Sequence, residues 1–545
     1  DTFSLAEITS ELRQSLDLLE SDLRNIADRH RSLRTVFEAS WDRLQSSEQQ
    51  LFAQMSVFRG GFTRTGAWEI CAPQLSQPAF HRLLATLTRK SFLKHDMENG
   101  RYDIHELMRQ FGAEKLAQTS EIETATRDRH LTYFTDLAKE LSQRTKYGKA
   151  RTSLDQCEAE YGNIREAFAW SIMDNNRIKA GARLVTSLPL FWMARGHVRE
   201  GRDWLAKLQL FGESTLPVPI QANLRLWLGR IDIALDHDSS AQAFLEQSML
   251  QYQQLEDDRG LAETHLSLGR IERHRRNWRE ADRHLQHSLQ LFKALMDKNG
   301  QANTLHQLGR LVAYQHDWQK AYMYHSEALD LYHQLNQGFD VANSLRALGL
   351  VAMGMGEIAQ AHQKTKEALA FYHNVGHVRA IFICCEMLGE LSRIARDYEA
   401  AAAHYRQSLT LAQEFGFSLA EHASLFFYIG ITRLQIGEYV EANELFHQSL
   451  TLARQQNVQP VKALSIAGLA GVVIQRGYVE RAASLLAAVT AWYEQAELKM
   501  EIADRMDFDR LVAKARTQLT DEAFATAWNE GSAMLLEQAE ALALS

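Results

Sequence analysis

Proline is scarce in this chain, six residues in 545, and glycine, at 29, is modest. So few breakers over this length exclude a loop-rich β architecture and favour helix almost throughout. Cysteine is scarcer still. Cys71, Cys157, Cys384 and Cys385 make no CxxC pair and no zinc spacing, and adjacent Cys384-Cys385 on a helix is poor disulfide geometry. Reduced, buried thiols in a cytoplasmic protein are expected. No apolar run approaches the ~20 residues of a membrane span, so no membrane partner is expected, and no signal peptide is visible. The formal net charge of −8 gives no global reason for binding nucleic acid. Catalytic signatures are missing too. HExxH, GxSxG and a Cys/His metal set are absent. The nearest string to a phosphate-binding loop, Gly148-Lys149-Ala150, lacks the upstream glycine and the hydroxyl residue that such a loop needs. The chain is expected to have no enzymatic activity, cofactor or metal of its own. It starts at Asp1 rather than Met, which suggests an excised piece of a longer protein.

What is present is a repeat of 40 residues. Leu228-Gly229-Arg230 returns as Leu268-Gly269-Arg270 and Leu308-Gly309-Arg310, then continues as Leu348-Gly349, Leu388-Gly389, Ile429-Gly430 and Leu469-Ala470. Small residues keep the same beat: Gly201, Ala241, Ala281, Ala321, Ala361, Ala401, Ala442 and Ala482. A third small position follows seven later, at Ser248, Ser288, Ala328, Ala368, Ser408 and Ser449. Such self-similarity predicts a solenoid, in which each unit buries its apolar face against its neighbours. Each unit reads as two antiparallel helices, for example Leu261–Arg275 and Trp278–Met296. The glycine in the first helix costs about 1 kcal/mol against alanine, so close approach of the small residue on the second helix is expected there. An aromatic at Trp278, Trp318, Tyr398 and Tyr439 fills the gap between successive pairs.

Residues 31–118 follow another logic. An amphipathic helix is predicted over Arg31–Leu44 and a second over Glu48–Val57, with Ser47 as its N-cap. Two more follow over Thr65–Cys71 and Gln77–Lys90. Phe92–Asp96 and Arg101–Ile104, separated by Asn99-Gly100, read as a hairpin. His105–Gln118 is helical again. Three helices and a two-stranded wing suggest a winged-helix domain.

The repeat resembles the tetratricopeptide repeat, lengthened from its usual 34 residues and lacking the terminal proline. Ser40-Trp41-Asp42-Arg43-Leu44, Glu48-Gln49-Gln50-Leu51-Phe52 and Ser56-Val57-Phe58-Arg59-Gly60-Gly61-Phe62 resemble the winged-helix segment of NB-ARC/STAND signalling ATPases. Ser4-Leu5-Ala6-Glu7-Ile8 and Arg29-His30-Arg31-Ser32-Leu33-Arg34 are similar to the end of the helical domain before it. Glu160-Tyr161-Gly162-Asn163-Ile164-Arg165-Glu166-Ala167 resembles the linker helix that introduces the repeats, and Ala523–Gly531 a tail of the same group. Ile104-His105-Glu106-Leu107 occupies the place of that family's Met-His-Asp motif. The resemblance implies that His105 contacts the diphosphate of ADP in the full-length protein and helps to hold an inactive state. It also implies ATP or ADP as cofactor of that protein, an upstream nucleotide-binding domain as partner, and oligomerisation on activation.

The expected organisation is therefore all-α. Residues 1–28 end a helical domain, 29–118 form a winged-helix domain with a short β-hairpin wing, and 119–180 are a helical linker. Residues 181–501 form about eight tetratricopeptide-like repeats in an α-solenoid superhelix, and 502–545 are capping helices that shield the last repeat. A ligand groove is expected along the first helix of each pair. Arg230, Arg270 and Arg310 stand beside the repeat glycine in three successive units, with Asn223, Asn303 and Asn343 on the same helix face. Arginine suits carboxylate or phosphate and asparagine can hold a peptide backbone. A protein, a peptide or a small anionic ligand is the expected partner, and a solvated face with local ion pairs such as Arg276 with Glu280 is the bland alternative. Three functions compete: a sensing and autoinhibitory region of a STAND-type ATPase, a stand-alone scaffold, and a DNA-binding regulator. The last needs Gln77–Lys90 as a reading helix, and its Leu83, Leu84 and Leu87 look too apolar for that.

Overall fold

The computed structural model describes residues 27–146, 150–212 and 214–545; the Ser4-to-Ile8 string, nearly all of segment 1–28 and Gly148-Lys149 lie outside them. The fold is helical, with 28 helices and a single two-stranded sheet among the described residues. The chain divides into two compact units, Asp1–Arg275 and Arg276–Ser545.

In the first unit, helices Ser46–Met55, Arg64–Cys71, Gln77–Arg89 and Glu106–Ala117 surround a core that includes Phe52, Phe58, Phe62, Phe80, Leu84, Leu87 and Phe111. Helix Ser46–Met55 is capped by Gln45 rather than Ser47. The Gln45 backbone N–H donates to the Glu48 carboxylate at 2.8 Å, and Lys90 reaches the same carboxylate at 2.7 Å. Glu48 at the third helical position thus decides the start. The hairpin is shorter than its sequence signal. Lys94 pairs with Asp103 and His95 with Tyr102, antiparallel. Asn99-Gly100 closes a longer loop in which the Asp96 carboxylate accepts from the Glu98 backbone and the Asn99 amide. Tyr102 also pairs with Phe62, which ties the hairpin to the Gly60-Gly61 turn.

The repeat helices keep a stricter metre than the sequence signature. In the first unit they begin at Val218, Asp238 and Asp258, and in the second at Trp278, Lys298, Trp318, Gly338, Ile358, Val378 and Tyr398. The beat slips by one residue at Leu419, then resumes at Tyr439, Gln459 and Val479. Two residues before most of these starts stands a left-handed residue, among them Asp236, Glu256, Met296, His316, Asn336, Gly356, Arg396 and Gly477. One short turn therefore serves most of the connections, both within the helix pairs and between them.

The repeat glycines make room for a different residue from the one expected. A Cβ on Gly229 would lie 2.6 Å from Leu245, on Gly309 2.7 Å from His325, on Gly349 2.6 Å from Thr365, on Gly389 2.6 Å from Tyr405 and on Gly430 2.8 Å from Phe446. These side chains sit one turn beyond the small residue. The small residue contributes its backbone: the Ala241 and Ala361 carbonyls lie 3.2 and 3.3 Å from the same points. The recurrent serine bonds the previous helix, with Ser248 Oγ donating to the Ala222 carbonyl at 2.9 Å and Ser449 Oγ to that of Ala423 at 2.6 Å. The Trp318 ring covers Gly354 on a following helix.

At the carboxyl end, helices Asp521–Ser532 and Leu536–Leu544 pack on helix Val479–Gln495. Helix Ile502–Gln518 reaches further than a cap, touching Val479–Gln495, Gln459–Gln475 and also Val378–Ile394. All four cysteines are free and buried, and burial pushes the Cys384 and Cys385 thiols up to about 11 and about 12.

Candidate functional site

The three arginines beside the repeat glycine meet different fates. Arg230 is not an open anion contact. It ion-pairs with Glu263, donates to Ser267 Oγ at 3.1 Å, and lies over the Trp227 ring at 5.0 Å. The acid that neutralises it stands one repeat after Asn223, on the same face, so the two ladders satisfy each other here. Arg270 is half-buried at the equivalent place on helix Asp258–His274.

Arg310, in the second unit, is half-buried and forms no ion pair with any described residue. Desolvation lowers its pKa, and the charge of Arg346 adds to that shift while the Tyr314 phenol opposes it. Arg346 stands on helix Gly338–Gly354, four residues before the position equivalent to Arg310, so a search at one fixed register misses it. Burial, then Arg310 and Arg346, hold the His325 imidazole down at about 3, neutral at any physiological pH.

The asparagines are clasped rather than loose. Asn303 Oδ1 accepts from the Tyr332 hydroxyl at 2.7 Å and Asn343 Oδ1 from Tyr372 at 2.8 Å. Asn223 also hydrogen-bonds the Tyr252 hydroxyl. Each tyrosine follows its asparagine by 29 residues, a relation visible in the sequence once the helix pairing is known. The clasp fixes the amide, takes up its acceptor and leaves its N–H groups as donors. Of the local pairs weighed for the basic stretch, Arg276 with Glu280 does not form; Arg283 takes Glu280 at 2.7 Å.

Further along in the second unit, helix Ile502–Gln518 supplies the counter-charges of a buried arginine on helix Val378–Ile394. Arg393, 1% exposed, donates through Nε and Nη2 to Asp507 at 3.0 and 2.7 Å and through Nη1 to Asp504 at 2.9 Å. Arg510 donates to the Tyr398 hydroxyl at 2.7 Å. A cavity of about 190 Å³ beside these contacts is lined by Glu386, Glu390, Tyr405, Tyr428 and Glu501. Burial, then Asp504 and Glu501, pushes Glu390 up to about 8, and burial pushes Glu386 up to about 7.

The other candidate lies in the first unit, around His105. It is the N-cap of helix Glu106–Ala117, exposed, and its imidazole makes no capping hydrogen bond. It opens on a cavity of about 410 Å³ lined by Arg59, Gly60, Gly61, Asp103 and Arg109 among others. Burial would raise Glu106, but hydrogen bonds and charge from Arg109 and Arg59 hold it at about 2. Arg59 donates to Glu106 at 2.7 Å and to Glu166 at 3.2 Å, while its backbone N–H donates to Asn163 Oδ1 at 2.7 Å. Asn163 Nδ2 donates in turn to the Gly61 carbonyl at 2.9 Å. Gly162 permits this approach, since a Cβ there would sit 2.8 Å from the Arg59 carbonyl oxygen. Tyr161, next along, donates to Glu200 at 3.0 Å and accepts from the Trp192 indole at 3.0 Å.

Residues 300–373 match the tetratricopeptide repeat family. With the metre of the helices, this places the repeat array in the tetratricopeptide-like class of helical solenoids. Candidate HTH-type transcriptional regulators of Mycobacterium tuberculosis and Mycobacterium bovis are each 32% identical to this chain over 207 residues, 37% of its length and 23% of theirs. The chain therefore spans less than a quarter of the length of those relatives. A signal transduction ATPase with numerous domains from Pyrococcus horikoshii, with a tetratricopeptide repeat sensor, aligns at 14% identity and a TM-score of 0.43, over 83% of this chain and 68% of its own. The apo quorum sensor NprR from B. thuringiensis aligns at 12% identity and a TM-score of 0.45, over 66% and 98%.

Proposed function

We propose that this chain is the ligand- or partner-sensing and autoinhibitory region of a STAND-type signal-transduction NTPase. The repeat array recognises the trigger, and residues 29–118 act as a winged helix that couples it to an upstream nucleotide-binding domain. The observation that carries this reading is the continuity of contacts around His105. The cavity beside it shares Arg59 with Glu106, Asn163 and Glu166, and the helix that bears Asn163 and Glu166 hands on through Tyr161 to Glu200 and Trp192. A change at the cavity and a change at the entry to the repeats are thus changes to one polar network.

The residues suit a nucleotide phosphate. His105 presents an imidazole without an intramolecular capping bond, at a helix start where an anion is favoured, next to the Gly60-Gly61 backbone. Arg59 and Arg109 are already committed to Glu106, so His105 is the residue assigned the phosphate. Hydrolysis belongs to the upstream domain, and the chain alone is assigned no turnover. Ligand in the array shifts the balance between closed and open states by its differential affinity for the two.

The test is release of a fluorescent ADP analogue from the full-length protein. His105→Ala is expected to speed release by roughly tenfold, the scale of one or two lost charge-assisted hydrogen bonds. Release at the wild-type rate sinks the assignment. A second reading, direct binding of DNA, gains one observation from the fold. Leu84 and Leu87 of helix Gln77–Arg89 are buried, while His81, Arg82, Arg89 and Lys90 are exposed, so the leucines do not disqualify this face. Salt-dependent retardation of random duplex, lost on Arg82→Ala with Arg89→Ala, would favour it.

A further inference from the structure

Four carboxylates and one guanidinium line the cavity of about 190 Å³ beside helix Ile502–Gln518. Helix Val378–Ile394 presents Ile383, Glu386, Met387, Glu390 and Arg393 to it from one face. Helices Tyr398–Glu414 and Leu419–Ile436 add Tyr405 and Tyr428, whose rings stack at 5.1 Å. The start of helix Ile502–Gln518 adds Glu501 and Asp504. The one cation of the lining is already committed: Arg393 donates to Asp504 and Asp507 and lies over the Tyr428 ring at 5.6 Å. Glu386, Glu390 and Glu501 form no ion pair with any described residue. Nearby Arg379 is held by Glu421 and acts on Glu386 through its charge alone. The Ala503 backbone N–H reaches the Glu390 carboxyl, yet Glu390 Oε1 is buried without a hydrogen-bond partner.

Such an oxygen at a cavity wall is unfavourable in either protonation state, because it has lost water and gained no partner. A cation brought from outside answers three features at once. Its N–H groups give Glu390 Oε1 a donor, its charge balances carboxylates that lack a counter-ion, and its face suits the stacked tyrosines. Arg393 shows a guanidinium held by the same kinds of contact, carboxylates at its edge and the Tyr428 ring against its face. An inorganic ion fits less well, because no group of three or more metal-ligating side chains converges among the described residues. Glu501 is exposed, so the cavity opens to solvent on that side. We propose that Glu386, Glu390 and Glu501, with the Tyr405 and Tyr428 rings, form a subsite of the array that takes an ammonium or guanidinium group of the ligand. This rests on the sensor reading and adds to it the chemical class of the ligand, opposite in sign to the one the repeat arginines suggest. Binding favours ionised carboxylates, so Glu390 and Glu386, with pKa values of about 8 and about 7, release protons as the cation enters. Glu390 is faced by Glu386 and Arg393 from its own helix, by Tyr405 and Tyr428 from the next two, and by Glu501 and Asp504. Arg379 and Glu421 act on Glu386. Affinity therefore rises with pH from about 6 to about 8.

The experiment is calorimetric titration of the full chain at pH 6 and pH 8, at matched ionic strength. Agmatine and cadaverine present free cations, N-acetyl-arginine amide and N-acetyl-lysine amide present the side chains of a peptide, and calcium chloride is a further arm. Wild type, Glu386→Gln, Glu390→Gln, the double variant and the exposed Glu399→Gln are compared. Saturable binding at pH 8 is expected for at least one organic cation, weakened about tenfold by each single change in the cavity and lost in the double. Glu399→Gln should bind as wild type. Wild type should bind about tenfold or more weakly at pH 6 than at pH 8, a difference that Glu390→Gln reduces. The tighter of the two probe pairs assigns the source, a free amine or a basic side chain. The glutamines copy the neutral acids, so the variants should melt as wild type at pH 5, which separates lost binding from lost folding. Saturation by calcium in place of the organic cations, failure of every organic cation to saturate wild type, or binding that survives the double change overturns the proposal. ADP release from the full-length protein keeps the two readings apart. A cation that binds here and leaves release unchanged counts against the sensor reading while the subsite stands, and absent binding leaves the His105→Ala result untouched.

Discussion

Glu390 is held in its neutral form by its surroundings. Burial comes first among the causes, then Asp504 and Glu501, and its pKa rises from 4.5 to about 8. The folded protein therefore binds a proton that the unfolded chain releases between those two values. Stability from this site is complete below pH 4.5 and is lost as pH rises through 8. Glu390→Gln keeps the shape and removes the titration. Its urea midpoint is expected to match wild type near pH 5 and to exceed it near pH 8; a variant that tracks wild type at both pH values refutes the assignment. What could be read of such residues beforehand depended on their separation. Arg230, Arg270 and Arg310 were visible because they share a register. Arg346 was not, because it answers to Arg310 from another register on a later helix. Arg393 and its aspartates are more than a hundred residues apart, and no local spacing encodes that contact. Arg393 stands beside Leu388, Leu391 and Ile394 on a helix that also carries Arg379, Glu386 and Glu390, so its charge did not stand out.

At the scale of the element, the 40-residue beat was legible because glycine and alanine are rare enough at fixed spacing to stand out. The finer 20-residue metre was hidden, because the left-handed turn residue is Asp, Glu, Met, His, Asn, Arg or Gly with no common side chain. Only the backbone conformation recurs. Ser47 likewise looked the better cap by residue type, yet Glu48 set the helix start by bonding Gln45. The turns offer a direct check. Met296 has φ +51°, and its side chain is 84% exposed, so little packing is lost on its removal. A left-handed backbone costs an L-residue about 1–2 kcal/mol, which glycine avoids while gaining freedom in the unfolded chain. Met296→Gly is therefore expected to stabilise by about 0.5–1 kcal/mol, read as a raised urea midpoint. Loss of stability would show that the Met296 side chain packs in a way its exposure does not suggest.

For the molecule, the open issue is whether the carboxyl-terminal helices only seal the array or also brace its interior. In a solenoid, stability is passed between neighbours, so removing a terminal cap loosens the adjoining pair and fades inward. Helix Ile502–Gln518 departs from that pattern. Its Phe508, Leu511 and Ala515 join the core of the last pairs, while Asp504 and Asp507 hold Arg393 on helix Val378–Ile394, well upstream. Deleting residues 502–545 therefore does two things at once. It uncovers apolar surface on helices Gln459–Gln475 and Val479–Gln495, and it leaves the Arg393 guanidinium buried without its counter-charges. Breaking a buried pair in this way typically costs about 3–5 kcal/mol, far more than loss of exposed contacts. Hydrogen exchange of the truncated protein is expected to show lost protection throughout 378–495, with 298–375 protected as before. Loss confined to 459–495 would reduce the helix to an ordinary cap. Adding Arg393→Met to the truncation separates the two terms: protection over 378–414 should return, because the stranded charge is gone, while 459–495 stays loose, because its apolar cover is still missing.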